Sequence, residues 1–445
     1  MPGKTRILTR RKFLKQMAAG SAGAAAAVAG FPTIVRASAL GRNGAVAASN
    51  RIVMAGVGFG MMGVPNMQSF LGKDEVQWVA VCDLDKAHLA EAKDIVDKKY
   101  GKADCATYHD FRELLLRRDL DAVSIAVPDH WHAILSISAL RAGLDVYAEK
   151  PLFHELREGR AMCEAVKRYG RVWQTGSWQR SVENFHRACE LVRNGRIGKV
   201  RRIEVGLPSG HHDFAKTFGQ EAITAPPPEL DYDFWVGPSP YVPYCKARVH
   251  MNWRWSTDFG GGQLMDWIGH HGDIAHWGMG WDTDGPVEVE GRGEFPASGI
   301  YNSALRYYVT AVYADGTPMI IAGGHPEIRG GTKWIGEYGW IWVDRGGFEA
   351  SPSSLVHEVV GPNEIKLTES RDHYRNFLEC VRSRGLTIAN CETAHRSASV
   401  GYLGTIAIEL GRKIRWDPAT ETIIGDPEAD RLLGRAYRKP WVLPA

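Results

Sequence analysis

The sequence predicts an α/β protein of two domains: a doubly wound parallel sheet first, then an α+β domain around a large, open, mainly antiparallel sheet. Three observations predict it. From Arg51 to Gly176, short apolar runs alternate with helical stretches, the pattern of a parallel sheet with crossover helices. The first apolar run ends in a glycine-rich turn that opens a helix. After Gly176 the alternation stops, and strand-like runs joined by turn signals take over.

In order, Arg51–Ala55 is an apolar strand running into Gly56-Val-Gly58-Phe59-Gly60-Met61-Met-Gly63, and a helix follows to about Phe70. Gly58, Gly60 and Gly63 fit G-x-G-x-x-G, whose glycines let backbone and helix N-terminus approach a pyrophosphate; a second frame from Gly56 puts Met61 at the third glycine. The strand Val76–Cys82 ends at Asp83, roughly 20 residues on, where an acid accepts ribose hydroxyls. Asp83, with Asp85 beside it, repels a ribose phosphate, so the expected cofactor is NAD rather than NADP. The competing reading of Asp83 is a cap for the helix from Lys86. Helices over 86–100 and 111–117 precede the strand 122–127, which ends in Pro128-Asp129-His130-Trp131-His132. A helix over 133–142 leads to Val146-Tyr147-Ala148, a strand stopped at Glu149-Lys150-Pro151, because proline cannot donate to a ladder. Ligands of open α/β sheets bind at carboxyl strand ends, where a lysine reaches a substrate hydroxyl; the plain alternative is a surface Glu-Lys pair. A helix to Arg168 and the strand 172–175 complete the domain.

These motifs together resemble the glucose–fructose oxidoreductase/inositol dehydrogenase (Gfo/Idh/MocA) family, with Glu149-Lys150-Pro151 the most specific element. The resemblance runs on through the chain. It implies a nicotinamide cofactor held by the glycine turn, Asp83, Pro128, Asp129, His132, Glu149 and Lys150, and a homo-oligomer built through the open sheet face.

Beyond Gly176, a strand over 199–207 leads to an aromatic- and proline-rich excursion over 208–245, then Asn252-Trp-Arg254-Trp255 and Gly260-Gly-Gly262. Asp266, His270 and Asp273 follow at spacings that converge on one helical face. Asp-x-x-x-His after the glycines resembles the family's catalytic segment, and the resemblance makes His270 the proton carrier, Asp266 its assistant and Lys150 the third member; His271 is the alternative base. Histidine titrates near neutral pH, and lysine stabilises a developing alkoxide. Zinc held by His211, His212, Asp213, His270, His271, Asp273 and His276 is the competing reading of this cluster; with neither H-E-x-x-H nor a cysteine cluster in the chain, no metal is expected. Trp131, Trp178, Trp253, Trp255 and Trp267 suit a carbohydrate or polyol, whose C–H face stacks on indole, with Arg254 and His271 for its hydroxyls. Two or three of the five tryptophans are expected in the cleft. Strands at 287–294, 305–314, 319–322 and 340–343, helices at 372–383 and 393–412 (the second capped near Glu392), and a tail without assigned role close the chain.

The domains are therefore expected at 50–176 and 177–390, with 391–445 packing back on the body. Residues 1–39 read as a signal. Arg10-Arg11 within Thr9–Lys15 is a twin-arginine pattern, an Ala/Gly-rich run follows, and Ala37-Ser38-Ala39 offers a cleavage site. The expected location is periplasmic or extracellular, with no membrane insertion after cleavage. Loss of seven basic residues with the signal takes the formal charge from +3 to −4, which argues against nucleic acid as a partner. Seven dispersed cysteines without a C-x-x-C are no disulfide framework. The functional expectation is an exported enzyme moving hydride between a sugar or polyol and tightly held NAD; the alternatives are a glycosidase using the cofactor transiently and a non-catalytic sugar-binding protein.

Overall fold

A computed structural model describes residues 46–444, and residues 51–444 fold as one compact unit. The twin-arginine stretch and its cleavage site lie outside the described residues.

The first sheet holds β1 (Ile52–Val57), β2 (Val76–Cys82), β3 (Ala106–Tyr108), β4 (Ala122–Ile125), β5 (Asp145–Ala148) and β6 (Trp173–Thr175). All pairs are parallel, in the order β3-β2-β1-β4-β5-β6. Helices cover both faces, so β4 and β5 are buried along their whole length and read as unbroken apolar runs. The strand order reverses between β1 and β4, and the crevice at their carboxyl ends is where such sheets take ligands. The helix after β2, Lys86–Tyr100, is capped by Asp85, whose side chain accepts from Ala87 and His88 N–H. Asp83 is thereby left for another task. The helix expected over 111–117 stops at Leu114.

The second sheet has nine strands, ordered β13-β12-β11-β7-β10-β9-β8-β14-β15. They are β7 (Val200–Leu207), β8 (Glu288–Glu294), β9 (Arg306–Val312), β10 (Pro318–Gly323), β11 (Gly331–Gly336), β12 (Trp340–Val343), β13 (Phe348–Ser351), β14 (Ile414–Asp417) and β15 (Thr422–Ile423). Every pair is antiparallel except β7 with β10. Sequence reasoning missed β3, β11, β13, β14 and β15. They are short or flanked by glycine, and only pairing with an existing neighbour makes them strands.

Helix Cys391–Leu410 joins the two sheets, and its cap is Asn390, not Glu392. Glu392 instead accepts from Arg160 and Arg396. A Cβ on Gly401 would stand 3.0 Å from Ile268, and one on Gly404 2.9 Å from Val309, so these glycines let the helix lie directly on the site-bearing turn and on β9. The tail acquires a place: Trp441 packs edge-to-face on Trp131 at 4.7 Å. The excursion after β7 reaches back over the first domain. Lys86 N–H donates to Glu229 O (3.0 Å) and Asp231 N–H to Leu84 O (3.2 Å).

Candidate active site

A cleft of about 850 Å³ runs along the carboxyl ends of β1, β4 and β5, roofed by the excursion. At one end lies the glycine turn. Gly58 has φ +83°, and a Cβ there would meet Ala126 O at 2.5 Å. A Cβ on Gly63 would lie 1.9 Å from Gly58 O, whereas Gly60 faces nothing within 4 Å. Those are the tight turn, the close helix approach and the open ligand face that the frame Gly58/Gly60/Gly63 requires. Phe59 is buried and its N–H donates to Asp83 Oδ2 at 2.7 Å; Asp85 N–H donates to Oδ1 at 2.8 Å. Asp83 thus stands fixed at the turn with lone pairs left for hydroxyls. Met61 is exposed along the cleft wall, with Pro128 and Asp129 opposite. The cradle fits a dinucleotide.

At the other end, Glu149 and Lys150 leave β5. Glu149 is buried and accepts from Asn66 Nδ2 at 2.9 Å. Lys150 Nζ donates to both Asp266 Oδ1 and Asp266 O, each at 2.8 Å. An ammonium has three protons, so one donor remains for the cleft. Arg254 Nε also donates to Asp266 Oδ1, at 3.2 Å. Burial alone would raise the Asp266 carboxyl; Lys150 and Arg254 overcome it and hold it well below the usual range. Asp129 is pushed the other way, up to about 8, by burial and by Asp266, against the pull of Arg254 and Lys150. It is therefore a neutral acid at pH 7.

The segment behind these residues is not a plain helix. Gly262–Trp267 is α-helical, Ile268–Gly272 is a π-turn, and Asp273–Met279 is α-helical again. Wider turns break the α-ladder, and other groups take up the freed carbonyls. Ser177 Oγ donates to Gly269 O (2.7 Å) and Thr332 Oγ1 to His271 O (2.8 Å). The wider turn also changes which side chains share a face. Asp266 and His270 both line the cleft. Asp273 does not join them; it is buried against Arg180, which donates to it at 2.7 and 3.0 Å. The expected convergence of all three carboxylate and imidazole groups is thus corrected. His270 Nδ1 is buried without a hydrogen-bond partner among the described residues. Burial, then the charges of Lys150 and Arg345, depress its pKa well below the ordinary value, so the imidazole is neutral.

Four of the five tryptophans line the cleft: Trp131, Trp178, Trp253 and Trp267. Trp255 does not. It is fully buried, donates to His212 O at 3.0 Å and stacks on His211. Trp131 lies on the far side, beside Phe111 and Phe234, its indole N–H donating to Trp235 O at 2.9 Å. The substrate assignment of Trp255 is therefore corrected. His271 is turned away from the cleft onto Gln179 (3.3 Å) and stacks on Trp267; burial and then Arg345 lower its pKa to about 4. His132, expected at the cofactor, is a brace: its two ring nitrogens lie 2.7 Å from Pro151 O and 2.9 Å from Val127 O, tying the ends of β4 and β5 together. The zinc reading finds no support, since His211 bonds Ser303 and Asp213 accepts from Thr217 N–H and Asn252. Among the described residues, the one cluster spaced like metal ligands is Asp85, His88 and His250, a different set. Sequence reasoning missed Arg345, at the tip between β12 and β13; it lines the cleft from a place far along the chain and carries no local motif.

Two family models match: "Oxidoreductase family, NAD-binding Rossmann fold" over residues 51–177 and "Oxidoreductase family, C-terminal alpha/beta domain" over 182–443. The chain belongs to the Gfo/Idh/MocA oxidoreductase family. It is 30% identical over 388 residues to myo-inositol 2-dehydrogenase of Thermotoga maritima, covering 83% of this chain and 98% of that one. It is 31% identical over 207 residues to α-N-acetylgalactosaminidase of Shewanella oneidensis, 43% of this chain and 44% of that one. Over other curated relatives the match spans 35–40% of their length. Scyllo-inositol dehydrogenase from Lactobacillus casei, solved with NAD(H) and scyllo-inositol, shares the fold at a TM-score of 0.58 and 17% identity, over 82% of this chain and 99% of that one. Among the described residues no helix is long and apolar enough to cross a membrane.

Proposed function

We propose that this oxidoreductase acts on the CH–OH group of a sugar or polyol, with NAD as its resident cofactor. The observation that carries the reading is the Lys150–Asp266 clamp beside His270, in the same cleft as the Gly58/Gly60/Gly63 cradle. Gly60 and the helix start after it would hold the pyrophosphate, and Asp83 the ribose, which favours NAD over NADP. When bound, the dinucleotide supplies a hydride acceptor. Asp266 fixes the Lys150 ammonium, whose third proton points a hydrogen bond at the substrate hydroxyl and steadies the oxygen as it loses its proton. His270, neutral at physiological pH, accepts that proton. Trp178 and Trp267 wall the cleft with apolar surface beside the sugar, and Arg254 holds Asp266 from the other side.

The proposal includes export with the cofactor retained. The main-chain bonds of the 229–231 segment to Leu84 and Lys86 hold a roof over the ribose end of the cleft, which slows cofactor loss. The test is mass spectrometry of small molecules released on denaturing protein purified from the exported fraction, with a panel of sugars and polyols. Near-stoichiometric NAD or NADH that changes redox state with a polyol supports the reading; absence of nucleotide together with weak NAD binding refutes it. The 31% identity to an α-N-acetylgalactosaminidase favours a second reading, a glycosidase using the same residues for transient oxidation. A released aglycone without net redox change would identify it.

A further inference from the structure

Lys150, Arg254 and Arg345 line the substrate end of the cleft beside Asp266, with Asp129 buried there and Glu149 turned to Asn66. Lys150 and Arg254 share Asp266. Arg345 has no such partner. It stands exposed at the cleft mouth, on the tip between β12 and β13. The neighbouring carboxylate, Asp344, is occupied: its Oδ1 accepts from Gly346 and Gly347 N–H at 2.7 and 2.6 Å and closes the turn.

The guanidinium is nevertheless held in place. It lies over the rings of Trp178 (4.7 Å) and Trp267 (4.6 Å), and Nε donates to Gln179 Oε1 at 3.1 Å. Both indoles also flank His270, at 6.4 and 5.5 Å between ring centroids. A guanidinium has five donors; one is used, and the terminal Nη groups carry no protein bond among the described residues. A planar fork fixed between two aromatic faces suits a carboxylate, which it takes with two parallel hydrogen bonds.

We propose that the substrate is an acidic sugar, a uronic acid or uronoside, whose carboxylate is bound by Arg345 between Trp178 and Trp267 while a ring hydroxyl faces Lys150 and His270. The inference rests on the sugar-oxidoreductase reading and narrows its substrate class. It also gives Arg345 a second effect. Its charge, after burial and Lys150, depresses the His270 pKa, and a bound carboxylate offsets that part of the shift when the acidic substrate is seated.

The test is calorimetric titration of NAD-loaded protein with matched probes: D-glucuronate, its methyl ester and D-glucose; D-galacturonate, its methyl ester and D-galactose; and glucose 6-sulfate and 6-phosphate. At least one uronate should bind about 10–100-fold tighter than its ester and neutral parent, the worth of charge-assisted hydrogen bonds. Arg345→Met should abolish that preference, cost the uronate far more affinity than the neutral sugar, and move the acidic limb of the pH profile upward; Arg345→Lys should restore part of the preference. Equal binding of acid and ester, equal loss of both in Arg345→Met, preference for the sulfate or phosphate, or no uronate binding overturns the inference. If uronates bind selectively yet no sugar changes the redox state of the cofactor, the oxidoreductase reading fails and the acidic-sugar site stands. If neutral sugars do so and uronates are ignored, only the inference fails.

Discussion

Replacing Lys150 by methionine separates positioning from chemistry at this site. In the protein, Nζ makes two bonds of 2.8 Å to Asp266, and the two side chains are 12% and 14% exposed. Breaking a buried ion pair from one side costs ~3–5 kcal/mol. Here Arg254 keeps its 3.2 Å bond to the same Oδ1, so Asp266 is not left alone. The expected loss falls to about 2 kcal/mol, a drop in Tm of ~2–3 °C for a chain of this size. The catalytic loss is larger. In the proposed mechanism the third proton of Lys150 is the donor at the reacting oxygen, and removing one such donor lowers kcat by ~10²–10³-fold. The pH profile carries a further signature. As the proposed proton acceptor His270 must be neutral, and after burial the Lys150 charge is the largest influence keeping it so. Without that charge its pKa rises, so the acidic limb of kcat/KM moves to higher pH. The assay is kcat and kcat/KM across pH with the best sugar, plus nucleotide per chain by mass spectrometry. A variant with full nucleotide content, kcat within threefold of the parent and an unmoved acidic limb would refute the role given to Lys150.

Gly63→Ala should lose bound nucleotide, because its Cβ would sit 1.9 Å from Gly58 O, whereas Gly60→Ala, with nothing within 4 Å, should fold with an unchanged Tm and differ only in cofactor affinity; nucleotide content and Tm measure both. Asp83→Ala should lower the preference for NAD over NADP, read by titration of each, although losing the acceptor of Phe59 and Asp85 N–H costs ~1–3 kcal/mol of stability. Arg180→Met should strand the buried Asp273 and cost ~3–5 kcal/mol, seen as a lowered denaturant midpoint. Asp129 is raised to about 8 in the fold, so its contribution to stability is full below the ordinary carboxyl range, declines with rising pH and is gone above about 8; Asp129→Asn should therefore gain stability over the parent towards alkaline pH, checked by Tm against pH.

The parallel sheet, its glycine turn and the residues Asp83, Glu149 and Lys150 were legible in the sequence. Each sits at a strand end set by local pattern: an apolar run, then a residue that cannot continue the ladder. The same holds for Asp266 and His270, which follow a run of glycines and fall four residues apart. What local pattern could not supply was the π-turn between Ile268 and Gly272, which only tertiary packing explains: Gly401 admits Ile268, and Ser177 and Thr332 take up the carbonyls. That turn sends Asp273 to Arg180 rather than to the cleft. Nor could composition sort the tryptophans, since an indole that packs a core and one that walls a site look alike in sequence; the partners of Trp255 decided it. Arg345 was invisible for the plainest reason. Its neighbours Trp178, Gln179 and Trp267 are brought to it by the sheet, and contacts across such distances in the chain exist only once the edge hairpin has paired.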